Sequence, residues 1–416
     1  MTLAASAPPQ ATESVPRTVK GLSLVSLFND LASEMVYPLL PAFVTRTLGG
    51  GAVLLGLLDG ASDLTSAVLK WVTGRLADRP RWRSPLILVG YATAILVRPI
   101  IAVASSAWQV VGFRVMDRVG KGIRTAPRDA LIAVVTPPSQ RGRAFGFHRG
   151  ADHLGAVIGS LLAWYLLSRG ADVRSVIGWS AAPGLLAFVV LAVVLRGTAG
   201  DKAEKKAEGG AEPFRPVSAQ SSAPSSAISS ASTLAFWPPI IALAALSFFR
   251  LPETLLLLRL QDRGVPVATM PLVWAGLHVV RSASSYPGGW LSDRLGPRRM
   301  VAAGGLLFAA VAACLAIQLG PAIAVATFLL LGLVTGLTES GERVLVARLA
   351  PATLGRGFGV YHALVGVAAL PAGLLFGALY QGSGGPRALA LSAGGTALAV
   401  VAWIVISLRT KESSTP

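Results

Sequence analysis

The residues of this chain that can do chemistry are acids and bases set inside apolar stretches. Asp30 and Glu34 are four apart, so on a helix they stack on one side. Asp59, Asp63, Ser66 and Lys70 follow at steps of four, three and four, which is a single polar stripe. Arg114, Asp117, Arg118, Lys121, Arg124 and Arg128 fall largely on one side of a later stretch, and His148, Arg149, Asp152 and His153 follow in the next. Toward the C-terminus come Arg250 and Glu253 beside Pro252, then His278 and Arg281, then Glu339, Glu342 and Arg343, then Tyr361 and His362. Counting turns from the ends of the apolar stretches puts Asp30, Glu34, Asp63, Lys121, Asp152, Arg250, Glu253, His278 and Glu339 nearest the middle. A charge there costs at least about 2.5 kcal/mol in a bilayer, so it needs a partner or water. Burial raises a carboxylate's proton affinity and a nearby cation lowers it, so such a group can load and release a proton as its surroundings change. Asp30, Glu34 and Glu339 are the first choices for that role. Lys121, Arg124 and Arg250 can hold an anion, or Lys121 and Arg124 can balance Asp30, Glu34 or Asp63. Asp117 with Arg114 or Arg118, and Glu342 with Arg343, read as pairs that satisfy each other.

The elements that carry these groups follow from composition. Of 416 residues, 53% are hydrophobic and 14% charged, with mean hydropathy +0.62. Soluble domains carry roughly 25% charged residues, and a spanning helix needs about 20 apolar ones. Twelve spans are predicted, near 21–45, 52–74, 85–105, 108–134, 144–168, 175–196, 236–260, 269–290, 299–318, 321–347, 357–380 and 387–408. The expected organisation is a tail (1–20), a six-helix bundle (21–196), a Ser/Ala/Pro-rich linker (197–235), a second six-helix bundle (236–408) and a tail (409–416). The net charge of +17 fits loops rather than nucleic-acid binding. With the N-terminus inside, twenty basic residues fall in the inner loops and tails. Only five, Arg46, Arg169, Arg174, Arg263 and Arg387, fall outside. The positive-inside rule then puts both termini in the cytoplasm. The N-terminal segment lacks the build of a signal peptide, and no lipidation motif is evident. The single cysteine, Cys314, excludes an intramolecular disulfide and reads as a small buried side chain.

The two halves repeat each other. GRLADR at Gly74 returns as GWLSDR at Gly289, 215 positions on, and GRAFGFHR at Gly142 returns as GRGFGVYH at Gly355, 213 positions on. Six spans per half make the repeats parallel, related by an axis along the membrane normal. The chain resembles the major facilitator superfamily over nearly its whole length. The family's loop signature looks like G-x-L-x-D-R-x-G-R-R. Gly289, Asp293, Arg294, Gly296, Arg298 and Arg299 fit it, while the first copy keeps Gly74, Asp78 and Arg79 but has Arg81 for the later glycine. This resemblance implies an all-α membrane fold of twelve helices in two six-helix bundles about a pseudo-two-fold axis. It also implies a cytoplasmic gate at Gly74, Asp78, Arg79, Gly289, Asp293 and Arg294, which Arg128 and Asp129 are expected to serve from the cytoplasmic end of the fourth span. Gly74 is expected to let two helices approach closely. Gly150, Gly155 and Gly159 resemble the glycine run of drug antiporters and predict close packing of the fifth helix. Ser160 stands where the antiporters have proline. Strings such as DRVGKGIRTAPRDALIA and GLTESGERVLVA look like a bacterial branch whose substrates are mostly unassigned.

RVGKGIRT fails as a phosphate loop, because Val115 replaces the first glycine and Gly122 follows Lys121. No nucleophile elbow or HExxH string is present, and no histidine pair has metal-ligand spacing. The expectation is a non-enzyme, without cofactor or metal, that draws on an ion gradient. The first reading is proton-coupled efflux of a small polar or charged organic molecule by a monomer in the plasma membrane. The alternative is a proton-coupled importer, and the remote one a membrane receptor or scramblase. The pathway would comprise Asp30, Glu34, Asp63, Lys121, Arg124, Asp152, Arg250, Glu253, His278 and Glu339. Laying Leu251 on Leu31 sets Arg250 opposite Asp30, as if the gate stayed symmetric while the binding surface diverged.

Overall fold

The computed structural model describes residues 15–77, 79–137, 141–207, 230–318, 320–349 and 354–412. Each expected span is helix. The first half holds α1 (Arg17–Val36), α2 (Ala52–Ala77), α3 (Pro80–Ile100), α4 (Ala107–Val135), α5 (Arg141–Ser168) and α6 (Val173–Trp179 and Ala181–Ala207). The second holds α7 (Ser230–Phe249 and Glu253–Asp262), α8 (Met270–Leu295), α9 (Pro297–Ala316), α10 (Pro321–Leu329 and Leu331–Leu349), α11 (Leu354–Ser383) and α12 (Gly385–Glu412). Proline opens α3, α8, α9 and α10, where its missing N–H costs nothing. Ser106 and Gln109 form a capping box that starts α4. α6 runs on to Ala207, because Ala, Lys and Glu favour helix, and α7 begins at Ser230; both ends lie inside the expected linker.

Among the described residues nine of these helices are long and apolar enough to cross a membrane. α1, α4 and α8 fall outside that group, and they carry much of the intramembrane charge. Large apolar side chains point outward all round the molecule, among them Leu96, Trp108, Val193, Ile241 and Leu398. So much exposed apolar surface suits lipid, not water. Cys314 belongs to this outer surface. Its expected burial is therefore wrong, because it sits on the face of α9 turned away from the bundle.

Helix spacing is set where residues are small. A side chain on Gly155 would lie 2.2 Å from the Leu27 carbonyl oxygen, and one on Gly159 2.2 Å from that of Leu31, so α5 lies close against α1. Gly150 and Gly74 face open space, which corrects the packing role expected of both. Near the second copy of the loop motif, Gly288 lies against the Gly336 carbonyl of α10. Gly296 has φ +91° between α8 and α9, a left-handed backbone that favours glycine. The first copy needs no glycine there, because Arg81 lies inside a helix that Pro80 has already begun.

The halves meet along α2–α11 and α5–α8. Gly56 and Gly373 are close enough that a side chain on Gly56 would lie 1.9 Å from the Gly373 carbonyl. On the face away from the termini the two halves share one apolar core, with Tyr37, Phe43 and Leu55 packed in the cluster that holds Leu255, Leu257, Trp274 and Phe376. Toward the face of the termini each half has its own, Val19, Leu22, Ile87 and Leu191 in one and Phe236, Ile240, Val346 and Trp403 in the other. Among the described residues no shared apolar cluster closes that side.

Candidate functional site

Between the halves lies a cavity of about 560 Å³. Its walls include Asp30, Glu34, Asp63, Lys121, Asp152, Arg250, Glu253, His278 and Glu339, nine of the ten pathway residues expected from the sequence. The tenth, Arg124, is not there. It is 4% exposed, its Nη1 donates to the Gly90 carbonyl at 3.3 Å, and its guanidinium lies 4.6 Å from the centre of the Tyr91 ring. It therefore joins α4 to α3. Sequence reasoning left Tyr37, Asp59, Arg118, Arg149, His153, Trp274 and Arg281 off the pathway, yet all line the cavity.

Several of these groups meet across the halves. Glu34 of α1 accepts a hydrogen bond from Trp274 Nε1 of α8 at 2.7 Å, and His278 Nε2 lies 3.7 Å from the same oxygen. Trp274 packs between Tyr37 and His278, with ring centres 5.0 and 5.4 Å away. Arg149 of α5 pairs with Glu339 of α10 at 3.2 Å.

Asp59 of α2 bridges more tightly. Pro252 and the residues before it break α7, leaving the second piece with bare N–H groups at its start. Asp59 accepts from Thr254 N at 3.1 Å and Thr254 Oγ1 at 2.7 Å, and from Tyr37 Oη at 3.2 Å. One half thus caps a helix of the other, with the carboxylate at the positive end of that helix.

Other charges are settled within one half. Arg281 pairs with Glu253, and Arg250 lies 3.7 Å from Glu342. Glu342 also accepts from Tyr361 Oη at 2.7 Å, whereas the Arg343 side chain expected as its partner lies outside the described residues. Asp117 pairs with Arg114 at 3.1 Å, as expected, and with Arg98 at 2.8 Å. Arg98 went unnoticed in the sequence because it is a lone cation in an apolar run. It also donates to the Asn29 backbone and side-chain oxygens, tying α3 to α1. Asn29 in turn donates to Asp30 at 2.9 Å. His148 and Asp152 are 3.8 Å apart, and His148 Nδ1 lies 3.3 Å from Ser23 Oγ.

This is a mixed-charge chamber inside an apolar body, sealed on one face. A sequence model described as Major Facilitator Superfamily matches residues 22–281 and 257–416. The chain belongs to the major facilitator superfamily. Among similar proteins is an uncharacterized MFS-type transporter, MJ1317 of Methanocaldococcus jannaschii, 27% identical over 366 residues (86% of this chain and 87% of that one). The multidrug resistance protein MdtH of Cronobacter sakazakii is 32% identical over 158 residues, 38% of each chain. In fold, the superfamily member described here is similar to a bacterial homolog of the human lysosomal transporter Spinster, with TM-score 0.64, 17% identity and 96% of each chain covered. The nucleoside transporter NupG gives 0.70 at 11% identity, covering 94% of this chain and 99% of that one.

The loop motifs flank the chamber on the side of the termini. Arg79 is exposed just before α3, and Arg294 lies over the Trp290 ring at 3.9 Å. Arg128 pairs with Asp129 at 2.9 Å and reaches Ser26 Oγ at 3.4 Å. Gly289 lies in a shallow surface depression with Tyr286 and Trp290. Asp78 and the Asp293 side chain lie outside the described residues.

Proposed function

We propose that this protein exports a small polar or charged organic molecule in exchange for protons, by alternating access across a plasma membrane. The observation that carries this reading is the mixed-charge cavity with one apolar core shared on one face and two separate cores on the other. Such a body can rock about its centre, breaking one seal and making another. The basic loops favour a cytoplasmic location for the termini, so the state described is the inward-open one. Bundles at 21–196 and 236–408 are the moving bodies, with the tails and the 197–235 linker in the cytoplasm.

Coupling falls to Glu34. It contacts Trp274 and approaches His278 of the opposite half, so its surroundings change whenever the halves part. Asp30 and Glu339 are the supporting candidates. Arg79, Arg128, Asp129 and Arg294, with Asp78 and Asp293, form the inner gate, which closes in the outward-open state. Similarity to MdtH over part of the chain supports efflux. Ser160, buried and bonded to the Ala156 carbonyl where antiporters have proline, keeps a proton-coupled importer as the second reading.

The test is reconstitution in liposomes with a pH gradient of either sign and a panel of labelled metabolites and drugs. Antiport predicts substrate movement against the proton flux. Substrate entering vesicles together with protons overturns it in favour of import.

A further inference from the structure

Five permanently or normally cationic side chains line the cavity: Arg118, Lys121, Arg149, Arg250 and Arg281. Three have a carboxylate within 4 Å, on Glu339, Glu342 and Glu253. The other two do not. Arg118 and Lys121 stand three apart on one face of α4. Among the described residues no carboxylate lies within 4 Å of either, and no hydrogen bond from either side chain is formed. Lys121 is exposed to the cavity.

Asp30 and Asp63, on α1 and α2, likewise have no ion pair. The two kinds of charge differ in how they can be relieved. A carboxylate in a low-dielectric chamber discharges by taking a proton. A guanidinium cannot lose its proton in a protein. The Arg118 charge is therefore permanent; Asp117 and Asp63 act on it only from beyond 4 Å, which leaves its fork free to take an anion from outside the chain. Arginine's planar fork matches the oxygen pairs of carboxylate and phosphate, and Lys121 beside it adds a movable point charge. A chamber of about 560 Å³ is the size of pockets that take metabolite- or drug-sized ligands.

We propose that the transported molecule carries an anionic oxygen group, carboxylate or phosphate, that docks on Arg118 and Lys121. This rests on the transporter reading above and names the substrate class for the same cavity. The carboxylates Asp30 and Asp63 are then left for protons or for a cationic group elsewhere on the molecule.

The test measures binding alone, with the purified full chain in detergent and low-chloride buffer. Thermal unfolding is followed against succinate, inorganic phosphate, tetraphenylphosphonium and glucose. The expected result is a saturable rise in Tm with succinate or phosphate and none with glucose; which anion acts tells carboxylate from phosphate. The half-saturating concentration rises at least tenfold in Lys121→Gln and Arg118→Gln, and Lys121→Arg restores it. Lys20→Gln, outside the cavity, leaves it unchanged. If Arg118→Gln fails to fold, Lys121→Gln decides. No saturable response to either anion, a response that survives Lys121→Gln, or a response to tetraphenylphosphonium alone overturns the proposal. Failure here leaves the transporter reading standing. Anion binding without any flux in liposomes instead sinks the transporter reading and keeps the site.

Discussion

Replacing Asp59 with alanine should unlatch the sealed face. The carboxylate joins the halves through two bonds to Thr254, at 3.1 Å to its N–H and 2.7 Å from its Oγ1. Losing a helix N-cap costs about 1 kcal/mol, and losing a hydrogen bond to a charged group about 1.5 kcal/mol. Both bonds exist only while α2 and α7 are together, so the whole loss, about 2.5 kcal/mol, falls on the closed state. At 1.4 kcal/mol per factor of ten, that shifts the open-to-closed ratio about 60-fold. A face open in about 1% of molecules would then be open in about 40%. The assay is electron–electron distance measurement between spin labels at Arg46→Cys and Ala268→Cys, in a Cys314→Ser background that removes the one native thiol. The parent should give a single short distance. Asp59→Ala should add a longer population, and Asp59→Asn, which keeps an acceptor but loses the charge, should fall between. An unchanged distribution in folded Asp59→Ala protein would refute the reasoning.

Three further outcomes are expected. Gly159→Ala puts a methyl group 2.2 Å from the Leu31 carbonyl, so it should lower stability by about 1–3 kcal/mol, while Gly150→Ala, facing open space, should be near neutral; thermal unfolding in detergent compares the two. Glu34→Gln should abolish uphill transport yet leave exchange at equal pH, and unchanged concentrative uptake would remove Glu34 from the coupling role. Asp117→Asn leaves Arg98 and Arg114, 2% and 1% exposed, without their shared carboxylate; breaking such a buried pair costs about 3–5 kcal/mol, which expression level and Tm will report.

Much of the architecture was legible in the sequence because a bilayer allows few solutions. The helical spans and the repeat followed from apolar length and from two echoed strings. The stripe on α2 announced Asp59 and Asp63 as neighbours on one face, and both line the cavity. What a stripe cannot say is which way it points. Lys121 and Arg124 are three apart on α4, about 60° round the helix, and that angle separates a cavity side chain from one stacked on Tyr91. Partners across the halves were hidden for a similar reason. Asp59 with Thr254, Glu34 with Trp274 and Arg149 with Glu339 are 190 or more positions apart, and no local pattern joins them. Trp274 sat unremarked because an aromatic in an apolar helix carries no signal of its own. The superposition of Leu251 on Leu31 implies an offset of 220 positions, whereas the two motifs repeat at 215 and 213. Pro38 and Pro252 are 214 positions apart, between the offsets of the two motifs, and each marks a distortion in its helix. That register sets Arg250 opposite Val36, not Asp30.

Alternating access is tested most directly by watching both faces of one protein. Spin labels at Val72→Cys and Tyr286→Cys report the side of the termini, and those at Arg46→Cys and Ala268→Cys the opposite side. Across a pH series, and in Asp59→Ala, the account predicts that the populations move in opposition: whenever the pair on the side of the termini closes, the other opens. Two faces that open together, or a cavity that stays open toward the termini under every condition, would contradict it.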